Sequence, residues 1–333
     1  MVKEKELSKV IFFDKEEKLH ESFRYFNFLD FKNKKIPIKL HMGEIKNKYH
    51  VSPAFVKHVV DELKNLGAKP FLFDTTVLYL SIRRFKIGYK FIAAINGYLK
   101  IGCNVVIGDK GKNVYANNRF FDVAEELCES THIIAISHVT GHNLTGFAGA
   151  IKNFGMGGVT KKEKKRIHSG GQLIHFDEKC SYCGLCVKTC SFKAITIEKD
   201  NWSLNEYKCI GCGSCVKTCP EGALLIKYLD FQKGLCQSIK AVVNGKIVIY
   251  INVLKNITSQ CDCGPSIRPP LCEDIGYLIS NDPVAIDKAS IDMVNKKTKG
   301  NIFQINNKVD PLDQIKYGEE IKLGSSSYKL IEL

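Results

Sequence analysis

No apolar run in this chain approaches the length of a membrane span, since Asn244 and Lys246 interrupt the longest candidate, and a transmembrane helix is therefore not expected. The opening stretch, MVKEKELSKVIFF, has neither a long apolar core nor a small-residue cleavage site, so no secretory signal peptide is expected either. Neither G-x-G-x-x-G nor G-x-x-x-x-G-K-[ST] occurs, which removes the standard dinucleotide and nucleoside-triphosphate fingerprints. A soluble, cytoplasmic protein is the expectation.

The length of 333 residues allows two domains and a full core. Lysine and arginine number 49 against 35 acids, a formal charge of +14. An excess of this size is one footprint of nucleic-acid binding, but the lysines are spread through an Ile-, Asn- and Lys-rich sequence, and nucleic acid is not expected. A basic surface equally suits an acidic electron carrier such as a ferredoxin or flavodoxin.

Fourteen cysteines are present. In a cytoplasmic chain they point to metal or redox use and to an anaerobe, not to a disulfide framework. Residues 180–220 contain CSYCGLCVKTCS and CIGCGSCVKTCP. Each half has the spacing C-x2-C-x2-C-x3-C, the pattern by which a bacterial ferredoxin holds two 4Fe-4S clusters. CGLCVKTC and CGSCVKTC repeat, so the segment is an internal duplication. A zinc ribbon would use two CxxC pairs and leave four cysteines idle. Short spacings let three sulfurs wrap one face of a cubane while the fourth is exchanged between halves. The expected sets are Cys180, Cys183, Cys186 and Cys219 for one cluster, and Cys209, Cys212, Cys215 and Cys190 for the other. Ser191 stands where the first motif usually has proline, and no ligand is lost. With about −2 on each oxidised cluster, the loaded protein would carry roughly +10.

Elsewhere the pattern is α/β. Residues 36–42 read as a strand. Ser52-Pro53 starts a helix whose apolar face runs through Phe55, Val56, Val59, Val60, Leu63 and Leu66 to a stop at Gly67. Residues 69–73 are the next strand, completing a βαβ unit. Ligands in open α/β sheets bind beyond the carboxyl ends of strands. Asp74, followed by Thr75-Thr76, and Arg83 or Arg84 are thus candidates to position a small-molecule substrate, an arginine clamping a carboxylate or phosphate; the alternative is an Asx turn with solvated arginines. Helices are expected near 87–99 and 120–127, and strands at 105–107 and 132–138. Residues 1–35 show no clear period. Cys103 and Cys128 read as core.

Five of the nine histidines, His132, His138, His142, His168 and His175, surround a glycine-rich stretch, TGHNLTGFAGAIKNFGMGG. Its glycines let backbone approach a ligand, and a helix expected to start near Thr145 would offer amides to an anion. His142 and His168 are candidate metal ligands or proton donors, Lys152 a cation or covalent anchor, and Gly146, Gly149, Lys152 and Asn153 candidate cofactor contacts. The run KKEKKR at 161–166 reads as a solvated loop, with docking of an acidic electron donor as the alternative. Further on, SQCDCGPSIRPPLCED places Cys261, Cys263 and Cys272 after a strand, as a candidate third cluster or other metal site, a redox thiol pair, or buried small residues. Asp282 is a candidate N-cap for a helix at 284–294.

TGHNLTGFAGAIKNFGMG, His168-Ser169, the cysteine-rich insert, CDC and SNDPVAIDKAS together resemble the family called domain of unknown function 362, over nearly all of the chain beyond residue 35. More distantly, the order His142, Lys152, His168 resembles the nickel-dependent lactate racemase family, where a lysine carries a nickel pincer nucleotide and histidines serve as metal ligand and acid–base groups. That likeness implies Lys152 as cofactor anchor and His142 and His168 as ligands or proton carriers, and the resemblance places Asp282 and Asp287 near the cleft.

The expected fold is α/β, a Rossmann-like layered sheet domain (1–173 and 229–333) with an inserted α+β bacterial-ferredoxin module at 174–228. The leading function is an iron–sulfur oxidoreductase passing electrons through two 4Fe-4S clusters to a small substrate or cofactor in the cleft. The alternatives are a non-catalytic electron-transfer or accessory protein, and a racemase or isomerase with a nickel-pincer-like cofactor.

Overall fold

A computed structural model describes residues 7–170, 173–206, 208–209, 211–226, 228–264 and 269–333. Residues 1–6 of the opening stretch, Gly171 after His168-Ser169, Ile210 of the second cysteine motif and 265–268 of the CDC stretch lie outside the described residues. Eight strands form the central sheet: β1 (Ser8–Phe13), β2 (Lys35–Leu40), β3 (Lys69–Thr75), β4 (Val105–Gly108), β5 (His132–His138), β6 (Ile247–Leu254), β7 (Gly276–Ser280) and β8 (Tyr328–Glu332). Their spatial order is β8-β1-β7-β6-β5-β2-β3-β4. Only β7 is antiparallel to its neighbours, β1 and β6. The fold is therefore mixed α/β around a large, mostly parallel sheet.

The apolar run of β5 follows from its central place, where both faces are covered. Successive side chains point to opposite sides. Accordingly Ile133 and Ala135 join one core and Ile134 and Ile136 the other. The second core is closed by α1 (Pro53–Asn65) and α2 (Lys86–Ile95). Ser52 caps α1 by accepting from the Ala54 amide at 3.2 Å, as Ser-Pro at a helix start requires. The first core is closed by α3 (Ala150–Gly157), α4 (Lys161–Ser169), α5 (Tyr228–Val243) and α6 (Pro283–Thr298).

Strand order reverses at β2 and β5. From β2 the chain runs outward to β3 and β4, and from β5 the other way to β6, so the strand ends diverge and leave a crevice at their carboxyl edge. The period of β2 fills that crevice: Ile36, Ile38 and Leu40 enter the second core, while Lys39 emerges on the opposite face.

Four expectations are corrected. Residues 120–127 are not one helix: Arg119–Ala124 is a strand hairpinned with Gly111–Ala116, and only Glu125–Cys128 is helical. The helix expected from Thr145 begins at Ala150, because Thr140–His142 and Gly146–Ala148 pair as a short hairpin first. KKEKKR is not a solvated loop but the start of α4, with Glu163 and Lys164 buried. The opening residues, without visible period, supply β1, whose Val10 and Ile11 are both buried because β1 is covered on both faces.

Between β5 and β6 the cysteine-rich segment keeps its duplication. Leu173–His175 pairs antiparallel with Leu224–Ile226, so the chain enters and leaves at neighbouring points. Helices Leu185–Thr189 and Ser214–Thr218 occupy equivalent places, each led by a left-handed glycine, Gly184 or Gly213. Thr189 and Thr218 meet at 3.3 Å. Cys186, Ile195 and Leu224 form a small separate core beneath them.

Asp287, fully buried on α6, fixes where α3 begins. Its two oxygens accept from the Ala150 and Ile151 amides at 2.7 and 2.9 Å, and Asn252 of β6 donates at 2.8 Å. These amides have no partner within their own helix, and a carboxylate there also meets the positive end of the helix dipole. Gly149 is required by the approach, since a Cβ would stand 2.3 Å from Asp287 Oδ1. Asp287→Ala should therefore lower stability by about 1–3 kcal/mol, read from the denaturation midpoint, whereas a variant matching wild type would show that the helix start does not need this acceptor.

Candidate functional site

At the carboxyl ends of the strands lies a cleft of about 100 Å³. From β2 and the residue after it come Lys39 and His41, from β3 Asp74 and Thr75, from β5 His138, from α3 Lys152, Asn153 and Met156, from α4 Lys164 and His168, and from the loop after β6 Cys261, Asp262 and Cys263.

Its charges are arranged in pairs. Lys39 Nζ lies 3.0 Å from Asp74 and donates to Asn153 Oδ1 at 2.6 Å. Burial works against both ions: it pulls Lys39 below the usual lysine range despite Asp74, while Lys39 and His41 hold Asp74 below the usual carboxylate range. Tyr89 donates to the other Asp74 oxygen. His138 presents Nδ1 to both Asp262 oxygens at 2.9 Å and Nε2 to the Lys255 carbonyl at 2.8 Å. Burial lowers the His138 pKa, but Asp262 raises it further, and His138 in turn keeps Asp262 low against its own burial. The stabilisation from this pair is lost as pH falls through the depressed pKa of Asp262 and as pH rises through the elevated one of His138. Between those limits it ties the CDC loop to the end of β5.

The third pair is a thiolate and an ammonium. Lys152 Nζ lies 3.6 Å from Cys263 Sγ, and His41 Nε2 lies 3.9 Å from the same sulfur. A hydrogen bond from the Cys261 thiol, followed by the charges of Lys152 and His41, holds Cys263 well below the usual thiol range despite burial. The same bond, with burial, pushes Cys261 well above it. Burial would strip the Lys152 proton, but Cys261 and Cys263 outweigh it and raise Lys152 above the usual range. The contact between them thus favours the proton on Cys261 and the negative charge on Cys263.

Lys164 differs from these. It donates to Thr75 Oγ1 at 2.7 Å and the Thr76 carbonyl at 2.6 Å, and burial drops its pKa to about 7. A buried amine with that pKa is suited to gain a proton when an anion enters.

Of the residues named from sequence, Lys152, Asn153, Gly149, His168, Asp74, Cys261 and Cys263 meet at this cleft. Others do not line it. His142 is half-buried, accepts from the Leu144 amide at 3.2 Å and stacks on Phe231; desolvation and then Lys152 push its pKa well down, which disfavours its charged form. Arg83 is buried in an ion pair with Glu44 at 3.0 Å and lies over the Tyr79 and Tyr89 rings, so it is not a free clamp. The Arg84 carbonyl accepts from Lys161. Gly146 lies against the Val309 carbonyl and Pro311. Cys272 packs beside the first core and does not line the cleft. Asp282 caps α6 and accepts from Ser8 and Ser325, so neither it nor Asp287 faces the cleft. Sequence reasoning missed Lys39, His41, Lys164 and the pairing of His138 with Asp262. The strand-end rule that selected Asp74 also selects His41, which directly follows β2.

The cysteine-rich segment holds two smaller cavities. One is lined by Cys180, Cys183, Cys186 and Cys219, the other by Cys190, Cys209, Cys212 and Cys215. The segment's symmetry extends to its sulfurs: Cys190 Sγ accepts from the Ala194 amide and Cys219 Sγ from the Ala223 amide, both at 3.3 Å. At the first cavity His175 stacks on Trp202, and its buried Nε2 has no partner among the described residues. His168 has two sides: it lines the cleft, and it also lines a crevice with Leu204, Glu206 and Cys209.

Residues 36–292 match the family model described as Domain of unknown function (DUF362). The chain belongs to the DUF362 family. Among solved structures, this DUF362 chain is similar to the lactate racemase apoprotein from Thermoanaerobacterium thermosaccharolyticum, at 14% identity and a TM-score of 0.38 over 74% of this chain and 50% of that one. It is also similar to a crystal structure of a protein from Thermotoga maritima, at 10% identity and a TM-score of 0.39 over 89% of this chain and 59% of that one. It spans about half the length of the racemase apoprotein. No curated protein matches.

Among the described residues, no three His, Cys, Asp or Glu side chains converge as a single-ion site. The cleft's distinguishing group is instead the Cys263 thiolate. Because Lys152 favours the thiolate, Lys152→Met should move the pH midpoint of Cys263 alkylation upward by about one pH unit or more. Mass-spectrometric labelling rates against pH measure this, and an unchanged midpoint would remove Lys152 from the thiolate's environment.

Proposed function

We propose that this DUF362 chain is an iron–sulfur oxidoreductase in which residues 180–219 hold two 4Fe-4S clusters that exchange electrons with a small anionic molecule in the cleft. The observation that carries this reading is His168, which walls the cleft on one side and the Cys209 crevice on the other. The donor chemistry fits the groups: two sets of four soft sulfurs, with backbone amides already donating to Cys190, Cys209 and Cys219. An unpartnered His175 nitrogen beside the first cavity suits a cluster sulfur in the same way. On this reading residues 174–228 are a ferredoxin-type insert, closed at its ends by the strand pair Leu173–His175 and Leu224–Ile226.

When bound, such clusters supply electrons one at a time. The remaining work falls to the chain's own side chains. Lys164, near neutrality in pKa, takes up a proton as an anion enters and then holds it by charge. Lys39 and Asn153 fix the position of Asp74, and the buried Glu44–Arg83 pair holds the Tyr79 segment that forms one wall. The basic surface suits an acidic electron carrier as the donor.

Protein prepared without oxygen should contain about eight irons and eight acid-labile sulfides per chain, with two interacting EPR signals after reduction. Cys209→Ser should leave about four irons. Two alternatives give other results. A racemase with a nickel nucleotide would show nickel and added mass on Lys152, and a pure electron carrier would still reduce its partner after Lys152→Met. Iron content well below eight in reconstituted protein would overturn the proposal.

A further inference from the structure

We infer that Cys261 and Cys263 form a dithiol/disulfide couple in the cleft, which gathers the single electrons of the clusters into a two-electron step; this rests on the reading of residues 180–219 as cluster ligands. The two sulfurs share one wall of the cleft, while Asp262 between them is locked to His138. A disulfide spans Cα atoms roughly 4.4–6.8 Å apart, and here the two side chains are already within hydrogen-bond reach of each other. The loop is therefore anchored at its middle residue and carries a cysteine on either side.

The surroundings favour the reduced form with its charge on one sulfur. Lys152 Nζ at 3.6 Å and His41 Nε2 at 3.9 Å both face Cys263. An attacking or leaving sulfur held as thiolate beside cations is what disulfide exchange requires. Cys272, the third cysteine of the loop, does not line the cleft, so the couple is confined to this pair. Neither Cys103 nor Cys128 shares the environment, since burial raises both thiols.

The step balances. The Cys261–Cys263 disulfide takes up two electrons, one originating from each reduced cluster, and one proton. The S–S bond breaks, Cys261 takes the proton as a thiol, and Cys263 becomes the thiolate beside Lys152. In reverse, the pair returns two electrons and one proton as the S–S bond forms.

The test uses the full chain with its clusters. After diamide treatment and desalting without oxygen, peptide mapping of wild type should show loss of two hydrogens across Cys261 and Cys263. Dithionite titration, followed by cluster absorbance, should then require about four electrons per chain, against about two for Cys261→Ser and Cys263→Ser carrying the same iron. If titration is halted after two equivalents, wild-type cluster colour should return as electrons pass to the disulfide, and the variants should stay bleached. Failure of the disulfide to form in wild type, or a disulfide that forms while the clusters stay bleached, overturns the inference. Low iron is a separate result: it sinks the cluster reading, and the peptide map still reports whether the thiol pair exists.

Discussion

A single carboxylate holds the cleft in place. Asp287 reaches from α6 across the first core to the two leading amides of α3, and the next two residues of that helix are Lys152 and Asn153. From there the constraint spreads by contact. Asn153 donates to the Ile136 carbonyl and Ser137 Oγ of β5 and accepts from Lys39 of β2. Lys39 meets Asp74 of β3, and Asp74 meets Tyr89 of α2. Six elements far apart in sequence are thus joined by one chain of polar contacts. Burial raises the Asp287 pKa to about 6 in spite of its amide partners, a sign of how dry the helix start is.

A dry site full of ions is tolerable only when the ions are matched. Lys39 has Asp74, His138 has Asp262, and Lys152 has Cys263. Lys164 is held by neutral oxygens instead, and its pKa shows the consequence. On the proposed reading, Lys164 receives a negative guest and the chemistry falls to Cys263, which lines the same cleft. The proposed clusters and the proposed thiol couple both draw on this preparation, since electron transfer into a buried site requires protons and counter-charges to be close at hand.

Much of this was legible in the sequence where a rule links local spacing to geometry. Ser52-Pro53 and Asp282-Pro283 marked helix starts because capping is a local matter. The cysteine spacing grouped sulfurs that the structure places around two cavities. Asp74 and Lys152 were found from strand ends and glycine richness. The failures are equally physical. In KKEKKR the charges concealed an amphipathic helix, and nothing local tells Lys164 from Lys162. Arg119–Ala124 mixes apolar and polar residues in a way that fits helix or strand until its hairpin partner is known. Asp287 looked like a cleft residue, because whether an acid on a helix faces ligand or a second helix is decided by packing alone.

The strand pair at the root of the cysteine-rich segment has a consequence for how the molecule is built. Because Leu173–His175 and Leu224–Ile226 lie side by side, the segment between them enters and leaves the chain's path at one place, and the eight-stranded sheet is complete without its strands. Lengthening, shortening or exchanging such an appendage alters mainly loop-closure entropy, which grows slowly with length. The sheet with its cleft is thus a socket that can carry different appendages, or none, while its own architecture is kept.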